Sequence, residues 1–167
     1  ISVGPPYFAM TFNPLMFAMA IVLPAGPLLS WKRGDARGVL QRLAVAAGLA
    51  LLAGLAGFAL WEPKKALAAM GLMVGAWLIL GSLSEVVERI RLFRAPLAEA
   101  WRRTRGLPLG AWGMTLAHAG LGVFVLGAVV EVSFKTETAA ALAPGGSIVS
   151  GPWRVTLNSV EVVEGPN

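Results

Sequence analysis

"LPLGAWGMTLAHAGLGVFVLGAVV", Leu107 to Val130, runs for 24 residues without an Asp, Glu, Lys or Arg. A helix needs about 20 such residues to cross a hydrocarbon core about 30 Å thick, so the stretch reads as a membrane span. Its twelfth residue is His118, the one histidine of the chain. At a rise of about 1.5 Å per residue the imidazole falls about 17 Å from either end of the span, where a polar side chain is costly and has to be accounted for by packing against a partner or by a function.

Three further stretches are equally free of charge: Tyr7 to Leu29, Leu43 to Leu60 and Ala66 to Leu83. The whole chain agrees, with 56 % hydrophobic and 14 % charged residues over 167 positions and a mean hydropathy of +0.70. These values lie outside the globular range. The fold class expected is an all-α polytopic membrane protein of four transmembrane helices, followed by the start of a small extracytoplasmic β domain. Glycines and alanines in the second and third spans allow close helix contact, and Pro14, Pro24 and Pro27 predict kinks in the first. Pro5 and Pro6 in "PPYF" read as a helix start. With no cysteine, disulfides, thiolate metal sites and cysteine nucleophiles are excluded.

Charge sets the expected orientation. Lys32, Arg33, Arg37 and Arg42 against Asp35 give the first loop +3. Arg89, Arg91, Arg94, Arg102, Arg103 and Arg105 against three glutamates give the third loop +3. The second loop carries +1 and everything after Val130 carries −2. By the positive-inside rule the two arginine-rich loops are cytoplasmic, and the N-terminus and β segment face the periplasm. The basic residues flank spans with no interleaved aromatic platform, so nucleic-acid binding is not expected. The first basic residue, Lys32, follows the first apolar stretch, so that stretch reads as an integral helix and not a leader. The start at Ile1 and the end at "VEVVEGPN" suggest an internal piece of a longer protein.

Two regions complete the layout. Residues 84–104 read as an amphipathic cytoplasmic helix along the membrane surface, with Ser82 and Glu85 at capping-box spacing. From residue 132 to 167 the period changes to two: "WRVTLNSVEVV" alternates Trp153, Val155 and Leu157 with Arg154, Thr156 and Asn158. Glycine and proline punctuate it, predicting a β-hairpin with one wet face. The domains expected are therefore 1–131, helical and membrane-spanning, and 132–167, β.

Around His118 the helical neighbours are Met114, Thr115, Leu121 and Gly122. Small residues here fit three readings: ligation of a haem, with Gly122 leaving room for a flat macrocycle; a proton or substrate pathway; or a packing histidine satisfied by Thr115 or a neighbouring helix. Second ligands within the chain are limited to methionines, of which Met70 and Met73 lie at a plausible depth. No phosphate loop, H-E-x-x-H motif or serine–histidine pair is present, so no catalytic residue is expected and any chemistry would be a cofactor's.

Four segments taken in order, "ISVGPPYF", "GPLLSWKRG", "WGMTLAHAGLGVFVLG" and "VEVVEGPN", resemble the C-terminal part of the CcmF family, haem lyase subunits of bacterial system I cytochrome c maturation. The resemblance implies a bacterial inner-membrane protein that accepts haem from a periplasmic chaperone of the CcmE type. With thiol-handling and apocytochrome-binding subunits of the CcmH and CcmI types, such a protein attaches haem to apocytochrome c. It also implies a haem b within the membrane, reduced by quinol, of which His118 would be an axial ligand to the iron. The trans ligand is expected on a helix upstream of this chain, and the family's tryptophan-rich periplasmic segment is absent from it, so the piece alone is expected to be inactive. From the residues alone the alternative is a transporter or structural membrane module in which His118 packs or relays protons.

Overall fold

The computed structural model describes residues 5–29, 35–61 and 65–161. It divides into two units, 1–133 and 134–167. Among the described residues four helices are long and apolar enough to cross a membrane. A two-stranded antiparallel sheet lies near the end of the chain. The segments "ISVG", "SWKRG" and "VVEGPN" lie outside the described residues.

Helix α1, Pro5–Val22, opens on two prolines, whose missing N–H groups cost nothing in a first turn. Its end tightens into a 3₁₀ segment, Leu23–Leu28, containing Pro24 and Pro27. The irregular backbone is supported from outside: the Trp77 indole donates to the Ile21 carbonyl at 3.1 Å. Pro24 is buried against Gly81, where a Cβ would come within 2.5 Å of the proline ring. Backbone disturbed by proline survives in a bilayer when a neighbouring helix meets it in this way.

Helix α2, Ala36–Leu60, is capped by Asp35, whose carboxylate accepts from Gly38 N at 2.9 Å. Its buried residues, Val39, Leu43, Ala46, Ala50, Gly54 and Gly57, follow one another at steps of four and three. That is the spacing of a helix–helix seam. Helix α3, Ala66–Ile90, answers with Ala69, Leu72 and Met73. Met73 fills the space left by Gly54, and Leu72 and Trp61 fill that left by Gly57. The outward residues of these helices, such as Leu49, Leu52, Phe58 and Leu67, are exposed and apolar, as lipid-facing surface must be.

The region 84–104 is where the structure departs most from expectation. Ser82 is not a cap: its hydroxyl bonds the Leu78 carbonyl inside α3, and Ser84 does the same to Leu80. The α-helix runs on to Ile90, held by an Arg89–Glu85 ion pair one turn apart at 2.6 Å. It then stops at Arg91, which takes the left-handed conformation at φ 54°. Leu92 N bonds Val87 O at 3.1 Å and Arg91 N bonds Glu88 O at 3.2 Å, a Schellman-type end. Helix α4, Leu97–Arg105, is a separate piece. It buries Ala100 and exposes Leu97 and Trp101, over whose ring the Arg105 guanidinium lies at 5.0 Å.

Helix α5, Leu109–Phe134, crosses α3 at glycines. A Cβ on Gly75 would meet Leu126 and the Gly122 carbonyl, and one on Gly122 would meet Ile79 and the Gly75 carbonyl. Gly71 likewise receives Val129. Backbones touch here because no side chain separates them.

In the second unit, β1 (Ser147–Ser150) pairs with β2 (Trp153–Thr156). Ser150 stands opposite Trp153, leaving Gly151 and Pro152 as the turn. The φ of 57° at Gly151 suits the first central position of a type II′ hairpin. The alternation does not produce a buried face: every residue of β2 is exposed, because among the described residues of this unit nothing packs over Trp153 and Val155. The strand also ends at Thr156, short of Leu157 and Asn158.

Candidate functional site

His118 is carried by a helix starting at Leu109 and ending at Phe134, so it stands tenth of 26 residues rather than at the midpoint. At about 1.5 Å per residue it lies about 13 Å from the first residue and 24 Å from the last. It belongs to the half of the helix nearer the arginine-rich loop.

Its neighbours across space come from the first span. Ala18, Met19, Val22, Leu23, Gly26 and Pro27, with Met114 one turn earlier on α5, line a cleft of about 570 Å³ shared with His118. Ligand pockets commonly measure about 300–1,000 Å³. The 3₁₀ segment shapes this wall: Gly26 presents no side chain, and nothing lies within 4 Å of where its Cβ would be. The cleft is apolar apart from the imidazole.

The imidazole is half-buried, and its Nδ1 is buried without a hydrogen-bond partner. Thr115 does not supply one, since its hydroxyl bonds the Ala111 carbonyl at 3.0 Å within its own helix. Buried polar side-chain atoms are nearly always bonded, so an unpartnered ring nitrogen in a residue that lines an apolar cleft needs a reason.

The sequence neighbours sort differently in space than in the helical wheel. Gly122, expected to leave room for a macrocycle, is filled by Ile79 and the backbone of α3, and the room lies instead on the Met114 and Gly26 side. Met73 is packed against Gly54 in the α2–α3 seam, and neither it nor Met70 lines the cleft. Met19 and Met114 do, and Met19 was invisible to helical spacing because it arrives from a helix distant in sequence. Among the described residues no three His, Cys, Asp or Glu side chains gather into a metal-binding group. The residues present fit a flat, apolar, iron-bearing group: one nitrogen with an unsatisfied lone pair or N–H, two thioethers, and a wall of small side chains.

Four membrane-length helices and a histidine cleft within the apolar bundle define a multi-pass membrane protein. Its relatives are specific. The chain is 43 % identical over 167 residues to the cytochrome c-type biogenesis protein CycK of Rhizobium meliloti, covering 100 % of this chain and 25 % of that protein. It is 42 % identical over 168 residues to CycK of Bradyrhizobium diazoefficiens, with 100 % and 25 % covered. Against the cytochrome c-type biogenesis protein CcmF of Escherichia coli the identity is 30 % over 168 residues, with 100 % and 24 % covered. No protein-family model and no solved structure matches. The chain belongs to the CcmF/CycK family of cytochrome c-type biogenesis proteins, and it spans about a quarter of the length of the curated relatives it matches.

Proposed function

We propose that this chain is a haem b-binding part of a membrane-embedded cytochrome c haem lyase, with His118 as one axial ligand of the iron. The observation that carries the reading is the buried, unpartnered Nδ1 of His118 beside a cleft of about 570 Å³. A histidine retained for packing would have its ring nitrogens bonded. A bound haem supplies one-electron transfer. His118 would hold and orient the iron, while Gly26, Ala18 and Pro27 would leave a flat surface and Met19 and Met114 would provide polarisable contacts. The cleft is bounded by α1, its 3₁₀ extension and α5, and any second ligand to a haem held there would come from elsewhere in the full-length protein.

Family membership supports a role for this part in cytochrome c maturation. In the full reading the protein lies in the bacterial inner membrane with its N-terminal end and β segment in the periplasm. There it receives haem from a CcmE-type chaperone and works with CcmH- and CcmI-type subunits on apocytochrome c, with quinol as reductant. The test is optical. The purified full-length protein should show the Soret and sharp reduced α bands of low-spin haem b, and His118→Ala should abolish or broaden them. His118→Gln separates the alternatives, since an amide keeps hydrogen bonds but ligates iron poorly. An unchanged spectrum in both variants removes His118 from the haem site.

A further inference from the structure

A second cavity, of about 360 Å³, opens where the ends of three spans meet. Pro27 and Leu28 close it on the side of the first span, Arg42 comes from the start of α2, and the remaining walls come from the end of α3 and the turn after it. Its charges do not balance. Arg89 pairs with Glu85 and Arg94 pairs with Glu88 at 3.3 Å. Arg42 and Arg91 line the same space, and among the described residues no carboxylate pairs with either. Glu85 is 2 % exposed, and its second oxygen, Oε2, is buried with no donor. Among the described residues, two exposed guanidiniums on the cavity wall thus face no carboxylate, and a buried oxygen of the lining residue Glu85 has no donor.

The backbone adds an independent sign. Arg91 occupies the left-handed position that ends α3, where glycine is the usual residue because a side chain is strained there. A non-glycine residue held in that region marks a candidate functional position. Beyond the cavity, Phe93 in the turn after α3 is 86 % exposed, and Leu97 and Trp101 are exposed one turn apart on α4. Headgroup chemistry thus lies next to a surface suited to acyl chains.

We propose that this cavity binds the headgroup of an anionic phospholipid that also carries hydroxyl donors, the chemistry of phosphatidylglycerol. Arg42 and Arg91 take the phosphate, and Glu85 Oε2 accepts from a headgroup hydroxyl. Basic pockets between membrane helices hold lipid headgroups by the same electrostatics. The cavity shares Pro27 with the wall of the His118 cleft, but none of its charged residues lines that cleft, and lipid binding there does not depend on haem.

The experiment uses the full-length protein in nanodiscs of phosphatidylcholine containing a minor fraction of phosphatidylglycerol or phosphatidylethanolamine. Co-purifying lipid is counted by native mass spectrometry, and melting is followed in parallel. The wild type should retain phosphatidylglycerol selectively, and excess inorganic phosphate should not displace it. Arg91→Gly should lower that retention about fivefold, the effect of one basic residue near an anionic surface. Its melting temperature in pure phosphatidylcholine should stay the same or rise, because glycine fits the left-handed turn. Arg91→Lys should keep most of the retention. Equal retention of all three lipids, displacement by phosphate, unchanged retention in Arg91→Gly, or a lower melting temperature for that variant in phosphatidylcholine each overturns the assignment.

Discussion

The α2–α3 seam and the His118 cleft are built from the same few residue types, and they end in opposite states. In the seam each missing side chain is replaced: Met73 occupies the space beside Gly54, and Leu72 and Trp61 that beside Gly57. In the cleft Gly26 meets nothing within 4 Å and a ring nitrogen is left unbonded. Glycine, alanine and methionine therefore do not by themselves say whether helices will close or leave a site. What differs is the facing surface: a regular helix with steps of four and three fills its neighbour's gaps, whereas the 3₁₀ segment fills the gap at Gly81 of α3 with Pro24 but lines the side towards His118 with Gly26 and Pro27 and leaves it open.

Substitutions at glycines probe this contrast directly. The largest effect is expected from Gly122→Leu at the α3–α5 crossing, where even a Cβ would come within 2.9 Å of the Gly75 carbonyl. Overpacking of that kind costs about 3 kcal/mol at its upper end, read as a lower melting temperature in detergent. Gly54→Ala in the seam adds one carbon rather than four and should cost less, but still about 2 kcal/mol, because its Cβ would come within 2.8 Å of the Met73 Cβ, which moves only with the α3 backbone. Gly26→Ala should change stability by no more than about 0.5 kcal/mol. Gly26→Leu sharpens the contrast further: it should leave melting nearly unchanged yet lower haem content, since it fills the cleft and not a seam. Trp77→Phe leaves the Ile21 carbonyl without its indole donor, with an expected cost of about 1 kcal/mol.

The smallest effect concerns α4. Hydrogen bonds from Arg102 and then Arg103 hold the Glu99 carboxyl below its ordinary value of 4.5. A group depressed on folding contributes stability above its unfolded value and loses it as pH falls through the folded one. The pair is exposed, so the change should be slight, visible as loss of α4 amide-exchange protection below about pH 4.5 and absent in Glu99→Gln.

Much of this was legible in the residues. Four uncharged stretches and the Gly151-Pro152 turn appear where they were read, because span length and turn chemistry are local properties. The helix limits were less legible. α3 continues through Glu85 and Arg89, where an i, i+4 ion pair supports the helix past the apolar run and the Ser82 and Ser84 hydroxyls are satisfied on its own carbonyls. The wall of the cleft could not be read at all: Met19 and Gly26 lie some 90 residues from His118, and only tertiary packing brings them to it. The same holds for Gly122, whose open side on a helical wheel is occupied by α3.

Rescue in the full-length protein addresses the central claim most directly. His118→Gly removes the imidazole and leaves the cleft, so added free imidazole should enter and restore the reduced low-spin haem b bands that the variant lacks. Bands that persist in His118→Gly without imidazole, with the same positions and sharpness as in the wild type, would contradict ligation by His118.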